Sequence, residues 1–368
     1  GASGTSYTPI NISNVEEIQL VTTATGGTIT LSLAATPGVT TVAAVAPAAN
    51  VTVDKASGTQ TFSVSSEASN AVTSTFNVKG STLTGSADAA NIALNSVQGI
   101  VKVQSDDTTA AGGNFESAAV STVGSTSKPA ATSVLGATTI TKLTVSGSAK
   151  LDTSLITANL ASVKTLDASA STGGVVFDAT ASNATLTGGS GNDDLADGSG
   201  NDIILGGAGA DTITGGSGND SLDAGAGDDV VIASSVNTKD TIAGGDGTDT
   251  LSLASAIATS TTEVTGTGVS GFEVLETTAA LTQDMLMIPN SSIAAVRLNT
   301  GITVLQSAPA VTTATFKGAA TLTLGLKTNT TADSLAVAFA NSNNASVSAG
   351  LNATQIETLT VASTGGDG

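Results

Sequence analysis

From Gly188 onward the chain repeats itself every nine residues, and few folds can absorb such a period. The units read GGSGNDDLA, DGSGNDIIL, GGAGADTIT, GGSGNDSLD and AGAGDDVVI without a break to Ile232. Ala233 and Ser234 intervene. A worn copy, SVNTKDTIA, follows at 235–243, and a clean one, GGDGTDTLS, at 244–252. The sixth position is Asp in all seven: Asp193, Asp202, Asp211, Asp220, Asp229, Asp240 and Asp249. The eighth is always aliphatic: Leu195, Ile204, Ile213, Leu222, Val231, Ile242 and Leu251. A flexible acidic linker has no reason to keep Asp and aliphatic residues in phase through five adjacent copies.

The spacing carries a physical expectation. Glycine at the first, second and fourth positions permits backbone angles closed to other residues, so the first six residues are expected to turn rather than extend. The last three form a very short strand whose middle residue points inward. Nine residues then make half a coil, and two repeats make a full coil with a strand on each side. The aliphatic stack fills the thin space between two parallel sheets. Asp residues 18 apart fall on the same flank, which predicts three pairings: Asp193 with Asp211, Asp202 with Asp220, and Asp211 with Asp229. If the two extra residues at 233–234 bulge outward, Asp229 meets Asp249. Lys239, beside Asp240, argues against a good site in the worn copy. Bare carboxylates stacked at roughly 5 Å would repel one another. A divalent cation between coils removes that cost, and calcium accepts about six to eight oxygen ligands in flexible geometry.

Composition narrows the chemistry to the same kind of ligand. The 368 residues include no Cys, no His and no Trp, with 30 Asp and Glu against 11 Lys and Arg and a net charge of −19. A Ser-His-Asp triad, a Cys nucleophile, a usual zinc site and haem or iron–sulfur ligation are excluded. Without clustered bases there is no electrostatic footprint for nucleic acid. Twelve of the 30 acids fall between Asp193 and Asp249, where Lys239 is the one base. An EF-hand is excluded because no D-x-[DN]-x-[DN]-G precedes a Glu at the required position. A P-loop is excluded because no Gly-Lys-Ser/Thr follows the glycines. There is no run of about 18 apolar residues, so no membrane span is expected.

The flanks predict three regions, 1–187, 188–252 and 253–368, all β-rich. Thr28-Ile29-Thr30-Leu31-Ser32-Leu33, Val51-Thr52-Val53 and Lys142-Leu143-Thr144-Val145 alternate polar and apolar, as strands do. One helix is expected, over 331–339, with Asp333 or Ser334 as its cap. A looser phrase recurs at 12–20, 160–168, 269–275 and 355–361. Its apolar spacing reads as a turn feeding a strand, as in stacked solenoid rungs. The acid pairs Glu16/Glu17, Asp106/Asp107 and Glu273/Glu276 read as solvated surface or turn residues, with Asp106/Asp107 a candidate for a further interface calcium. The chain opens Gly1-Ala2-Ser3-Gly4 and closes Gly365-Gly366-Asp367-Gly368, which suggests a piece of a longer protein.

The array resembles the G-G-x-G-x-D-x-U-x repeat of calcium-binding RTX proteins. The resemblance implies an all-β fold, a parallel β-roll flanked by strand-and-turn regions, and several bound Ca2+ ions. It implies metal ligation by Asp193, Asp202, Asp211, Asp220, Asp229 and Asp249, joined by backbone carbonyls at first and third positions, for which Gly188, Ser190, Gly206 and Ala208 are the candidates. Position five (Asn192, Asn201, Asn219, Asp228) is assigned to shaping the turn. The array together with its Ala/Thr/Ser/Val-rich flanks resembles bacterial surface-layer (S-layer) proteins of the type I-secreted, RTX-containing, Caulobacter-like class. That resemblance implies a non-enzymatic protein of the cell surface that folds on calcium and tiles with copies of itself, with cell-surface polysaccharide a candidate partner through a region outside these residues. The alternative is an RTX adhesin or biofilm-matrix protein, against which one Tyr and no Trp count, since sugar contact favours aromatic rings. RTX proteases carry a His-rich zinc motif, which this chain lacks.

Overall fold

The structure is a computed structural model. It describes residues 6–7, 15–21, 28–33, 38–45, 50–56, 59–65, 73–78, 83, 88–97, 100–105, 115–124, 134–135, 140–154, 160–181, 183–233, 236–237, 239–254, 268–278, 281–284, 292–298, 301–308, 313–316, 320–326, 334–339, 349–353 and 358–363. Among the described residues there is no α-helix, and no helix is long and apolar enough to cross a membrane. The chain divides into two compact units, Gly1–Leu195 and Ala196–Gly368. Each is a parallel β-solenoid, in which consecutive strands go to different sheets and every strand pairs with one from the next coil.

In the first unit one ladder runs through Glu17–Val21, Thr41–Val45, Thr61–Ser65, Ala89–Asn95, Ser117–Val123, Lys142–Gly147, Thr165–Ser171 and Thr185–Thr187. Register turns single residues into columns. Val42 pairs with Phe62, Phe62 with Ile92, Ile92 with Val120 and Val120 with Val145, and all five are buried. A second ladder, Ser6–Tyr7, Thr28–Ser32, Asn50–Ala56, Thr73–Val78, Ile100–Ser105 and Val134–Leu135, places its own apolar column on Val53, Phe76 and Val103. Phe62 on the first ladder meets Phe76 on the second, ring centroids 5.1 Å apart and tilted by 38°. With so few aromatics, the core depends on in-register β-branched residues, each contributing about 1.5–3 kcal/mol on full burial.

In the second unit Ile203–Ala208, Ser221–Ala226, Thr241–Asp246 and Gly268–Ser270 form one ladder. Thr212–Gly215, Val230–Ala233, Thr250–Leu253, Val274–Thr277, Ala295–Leu298, Thr313–Phe316, Ser334–Phe339 and Thr358–Ser363 form another. Ile204, Leu222, Ile242 and Val269 stack in register on the first; Ile213, Val231, Leu251, Leu275 and Val296 stack on the second. All nine are buried. The eighth position of each repeat therefore builds the core. The extra residues after Ile232 leave the ladders aligned: Val230 pairs with Thr250, and Ser221 with Thr241.

Two expectations fail. The described part of the expected helix at 331–339 is not helical: Ser334–Phe339 is a strand, paired on both sides with Thr313–Phe316 and Thr358–Ser363. Ser-Leu-Ala-Val-Ala-Phe alternates with period two, and two ladders of backbone hydrogen bonds override the helix preference of Ala and Leu. The glycine half of the repeat is not strand-free either. Ile203–Ala208, Ser221–Ala226 and Thr241–Asp246 run from position seven of one repeat through position three of the next. Gly207, Gly225 and Gly245 stack there with φ of +110°, +105° and +108°. A Cβ on Gly225 would collide with the Gly207 carbonyl oxygen, so the glycines allow neighbouring coils to pair rather than to separate.

Candidate metal centre

Each turn between the sheets ends on the Asp at position six. Alternation about the buried position eight turns positions six and one inward as well. Every sixth-position Asp is accordingly buried, from Asp193 through Asp249. The structure sorts them on the two flanks of the roll. On one flank Asp202 donates its backbone N–H to Asp220 Oδ1 (3.0 Å), and Asp220 donates to Asp240 Oδ1 (3.0 Å). On the other, Asp211 donates to Asp229 Oδ1 (2.7 Å) and Asp229 to Asp249 Oδ1 (2.9 Å). The predicted pairings 202/220 and 211/229 are thus brought together, and so is 229/249 across the insertion. Asp193, in the first unit, accepts the N–H of Val175 on Oδ1 (2.6 Å) and that of Gly189 on Oδ2 (2.8 Å).

At Asp220, Asp229 and Asp249 Oδ1 thus holds the preceding coil. The second oxygen is what a cation would take. Oδ2 of Asp229 and Oδ2 of Asp249 are buried and receive no hydrogen bond. Glycine lets the backbone of the next coil come close beside such oxygens. A Cβ on Gly206 would collide with the Ala224 carbonyl oxygen and stand 2.6 Å from Asp211 Oδ2. A Cβ on Gly244 would collide with the Gly271 carbonyl oxygen and stand 2.9 Å from Asp249 Oδ2. A carboxylate oxygen and a carbonyl oxygen of the next coil thus lie against the same glycine in each case, and calcium takes such oxygens at about 2.3–2.6 Å. An all-oxygen donor set with excess negative charge fits a hard divalent cation.

The sequence reading missed Asp197. It occupies position one of the second repeat, where the other clear copies carry Gly or Ala, and that departure was the available signal. The inward slot buries its carboxylate. Oδ1 accepts the N–H of Gly216, and Oδ2 is buried without a hydrogen bond. One carboxylate oxygen each from Asp197, Asp202 and Asp220 lie within 4.8 Å of one another. Burial pushes the Asp197 carboxyl up to about 7, and the charges of Asp220, Asp202 and Asp240 push the same way against the Gly216 hydrogen bond. Burial likewise raises Asp193, Asp220, Asp229 and Asp249. Neighbouring carboxylates add to the rise at the last three. Ionised and without a counterion, this arrangement costs folding free energy.

The remaining candidates are placed as follows. Gly188 is buried, and Ser190 is exposed with its N–H on the Ser171 carbonyl (2.9 Å). Gly206 and Ala208 lie on the strand Ile203–Ala208, the first buried and the second half-buried. Asp240, in the worn copy, sits in the same column as Asp220 and is further held by Asn237, while Lys239 is exposed. Position five forms a separate ladder on the outside: Asn219 N–H donates to Asn201 Oδ1 (3.0 Å) and Thr248 N–H to Asp228 Oδ1 (2.9 Å). These contacts fit the turn-shaping role. Asp106/Asp107 lie outside the described residues.

The RTX calcium-binding nonapeptide repeat family matches the chain over 178–213, 187–222, 197–231, 205–238 and 239–255. No curated protein and no solved structure matches it. RTX nonapeptide repeats bind Ca2+ and are typical of secreted, extracellular proteins. Residues 178–255 are therefore RTX calcium-binding repeats on a parallel β-solenoid, and the chain fits an RTX-type calcium-binding protein.

Proposed function

We propose that this chain is a non-enzymatic building block of a bacterial surface layer, exported by a type I route, in which residues 188–252 form the module that folds on calcium. The observation that carries the calcium half is the set of buried carboxylates with raised pKa, whose Oδ2 atoms at Asp197, Asp229 and Asp249 have no hydrogen bond. Asp193, Asp202, Asp211, Asp220, Asp229 and Asp249, with Asp197 and Asp240 beside them, would hold the ions. Carbonyls from Gly188, Ser190, Gly206 and Ala208 would complete the oxygen shells. Bound calcium supplies the positive charge that lets the carboxylates stay ionised indoors. The chain's own part is to keep Oδ1 on the neighbouring coil, leaving the second oxygen to the ion. Because calcium binds the folded coil and not the unfolded chain, each site stabilises by RT ln(1 + [Ca2+]/Kd).

Support for tiling comes from the outer faces. Along Thr61–Ser65, Phe62 and Val64 are buried while Thr61, Ser63 and Ser65 are half-buried, and Thr73 and Thr75 alternate with Ser74 and Phe76 likewise. Such hydroxyl-bearing faces pair copies without indiscriminate aggregation, and an acidic subunit can use the same cation between copies. The test is to add millimolar calcium to calcium-free protein and image it by electron microscopy. Ordered two-dimensional sheets are expected. Protein that becomes folded but stays monomeric would reject the lattice in favour of an adhesin or matrix protein, and protein whose circular dichroism ignores a chelator would reject the folding switch.

A further inference from the structure

The register of the second unit continues the metal column one coil beyond the recognisable repeats. Thr250 pairs with Val274 and Leu251 with Leu275, which puts Glu273 where a sixth-position Asp would stand above Asp249. Thr241 pairs with Gly268, Ile242 with Val269 and Ala243 with Ser270, which puts Gly271 above Gly244. The turn that runs Gly244–Asp249 in the last clean repeat is thereby cut to Gly271-Phe272-Glu273. The nine-residue period is lost although the coil is kept, and family matching ends at residue 255.

The contacts of Glu273 reproduce those of the Asp column. Asp249 donates its N–H to Glu273 Oε2 (2.9 Å), as Asp229 does to Asp249 and Asp211 to Asp229. The longer side chain spans the separation of a shortened turn. Below it, Asp249 is fully buried and its Oδ2 has no hydrogen bond. That oxygen and the Gly271 carbonyl oxygen both lie against Gly244, where a Cβ would stand 2.9 Å from the first and collide with the second. Asp211 Oδ2 and the Ala224 carbonyl oxygen lie against Gly206 in the same way inside the array. The nearby base Arg297 gives its Nη1 to Thr250 Oγ1 (3.5 Å).

We propose that Asp249, Glu273 and the Gly271 carbonyl form an additional divalent-cation site between the last nonapeptide and the coil at 268–276, outside the repeat array. The site rests on the reading of the array as calcium-binding and extends it. Glu273 closes the column: it supplies the carboxylate that a further repeat would have supplied, and so completes the ligand set on the C-terminal side of Asp249.

The test counts ions. Calcium-loaded protein is exchanged into micromolar free calcium and its bound calcium is measured by native mass spectrometry, for the full chain and for Glu273→Ala and Glu273→Gln. Glu273→Ala is expected to hold one ion fewer. Glu273→Gln keeps an acceptor for the Asp249 N–H but not the charge, and is expected to bind one ion at least tenfold more weakly while its circular dichroism matches the parent. Should Glu273→Gln keep the full count at unchanged affinity, Glu273 is a hydrogen-bonding cap and the site is overturned. A parent chain that binds no calcium at all overturns the array reading, and this site with it. A parent that binds several ions with none sensitive to Glu273 overturns this site alone.

Discussion

Replacing Asp249 by Asn should reverse the sign of its effect when calcium is added. Without calcium the ionised Asp249 is a burden: burial, Asp229, Glu273 and Asp228 all disfavour its charge, against one hydrogen bond from Asp229. Asparagine keeps Oδ1 for that N–H, held at 2.9 Å, and puts an amide donor beside the Gly271 carbonyl where Oδ2 stood. In chelator, therefore, Asp249→Asn is expected to be more stable than the parent. Asp249→Ala removes the acceptor and strands the Asp229 N–H, at a cost of about 1–3 kcal/mol, so it should be less stable than Asn under all conditions. In calcium the parent gains about 2.7 kcal/mol for each site held at 100 times its Kd. Asn forfeits a charged ligand, so the parent then overtakes it. Denaturant unfolding of the three proteins in excess chelator and in millimolar calcium gives both orders. The reasoning is refuted if Asn destabilises in chelator, or if calcium stabilises parent and Asn variant equally.

The pH dependence follows from the same groups. Asp193, Asp197, Asp220, Asp229 and Asp249 have folded-state pKa values above the unfolded one, reaching about 7 at Asp197. The folded chain therefore binds protons that the unfolded chain has released, and calcium-free stability should fall as pH rises from about 4 to about 7. Melting temperatures in chelator across that range check the sign, and a rise would contradict it. Calcium needs the deprotonated carboxylates, so its stabilising increment should grow over the same interval. Separately, Gly225→Ala should cost more than the roughly 1–2 kcal/mol of a left-handed backbone alone, because its φ is +105° and the new methyl group meets the Gly207 carbonyl. An unfolding midpoint in calcium close to the parent's would count against coil contact at that glycine.

The array was legible because its period is its structure. Aliphatic position eight predicted the buried stack from Ile204 to Leu251, and the 18-residue rule predicted that Asp202 meets Asp220 and Asp211 meets Asp229. The rule also survived the two inserted residues, since only the spacing between coils changes, from 18 to 20, and not the register within the sheets. What escaped was whatever depends on a neighbouring coil. The strand character of Gly207 and Gly225 arises from pairing between coils, which local glycine propensity opposes. The strand at Ser334–Phe339 likewise owes its state to two neighbours rather than to its own Ala and Leu. Asp197 was not among the expected ligands, because the period alone does not say that position one faces inward. Glu273 read as a surface acid because the turn before it is three residues too short to keep the period.

The hydrogen bonds of the carboxylate column all point one way. Asp202, Asp211, Asp220, Asp229 and Asp249 each give their N–H to an acid on the coil that follows, never on the coil before. The outer ladder at Asn201 and Asp228 runs in the opposite direction but is exposed, where water can replace it. The roll therefore behaves as a zipper with a handle at one end. The side-chain bonds of a coil are finished only when its successor is in place, while its backbone also leans on the coil before it through bonds such as Thr250 N–H to the Asp229 carbonyl. Cutting coils away from the C-terminal side leaves the N–H of a sixth-position Asp unmet, whereas cutting from the N-terminal side frees a carboxylate oxygen together with the N–H that the next residue had given to the preceding coil, as Thr250 gives its own to the Asp229 carbonyl.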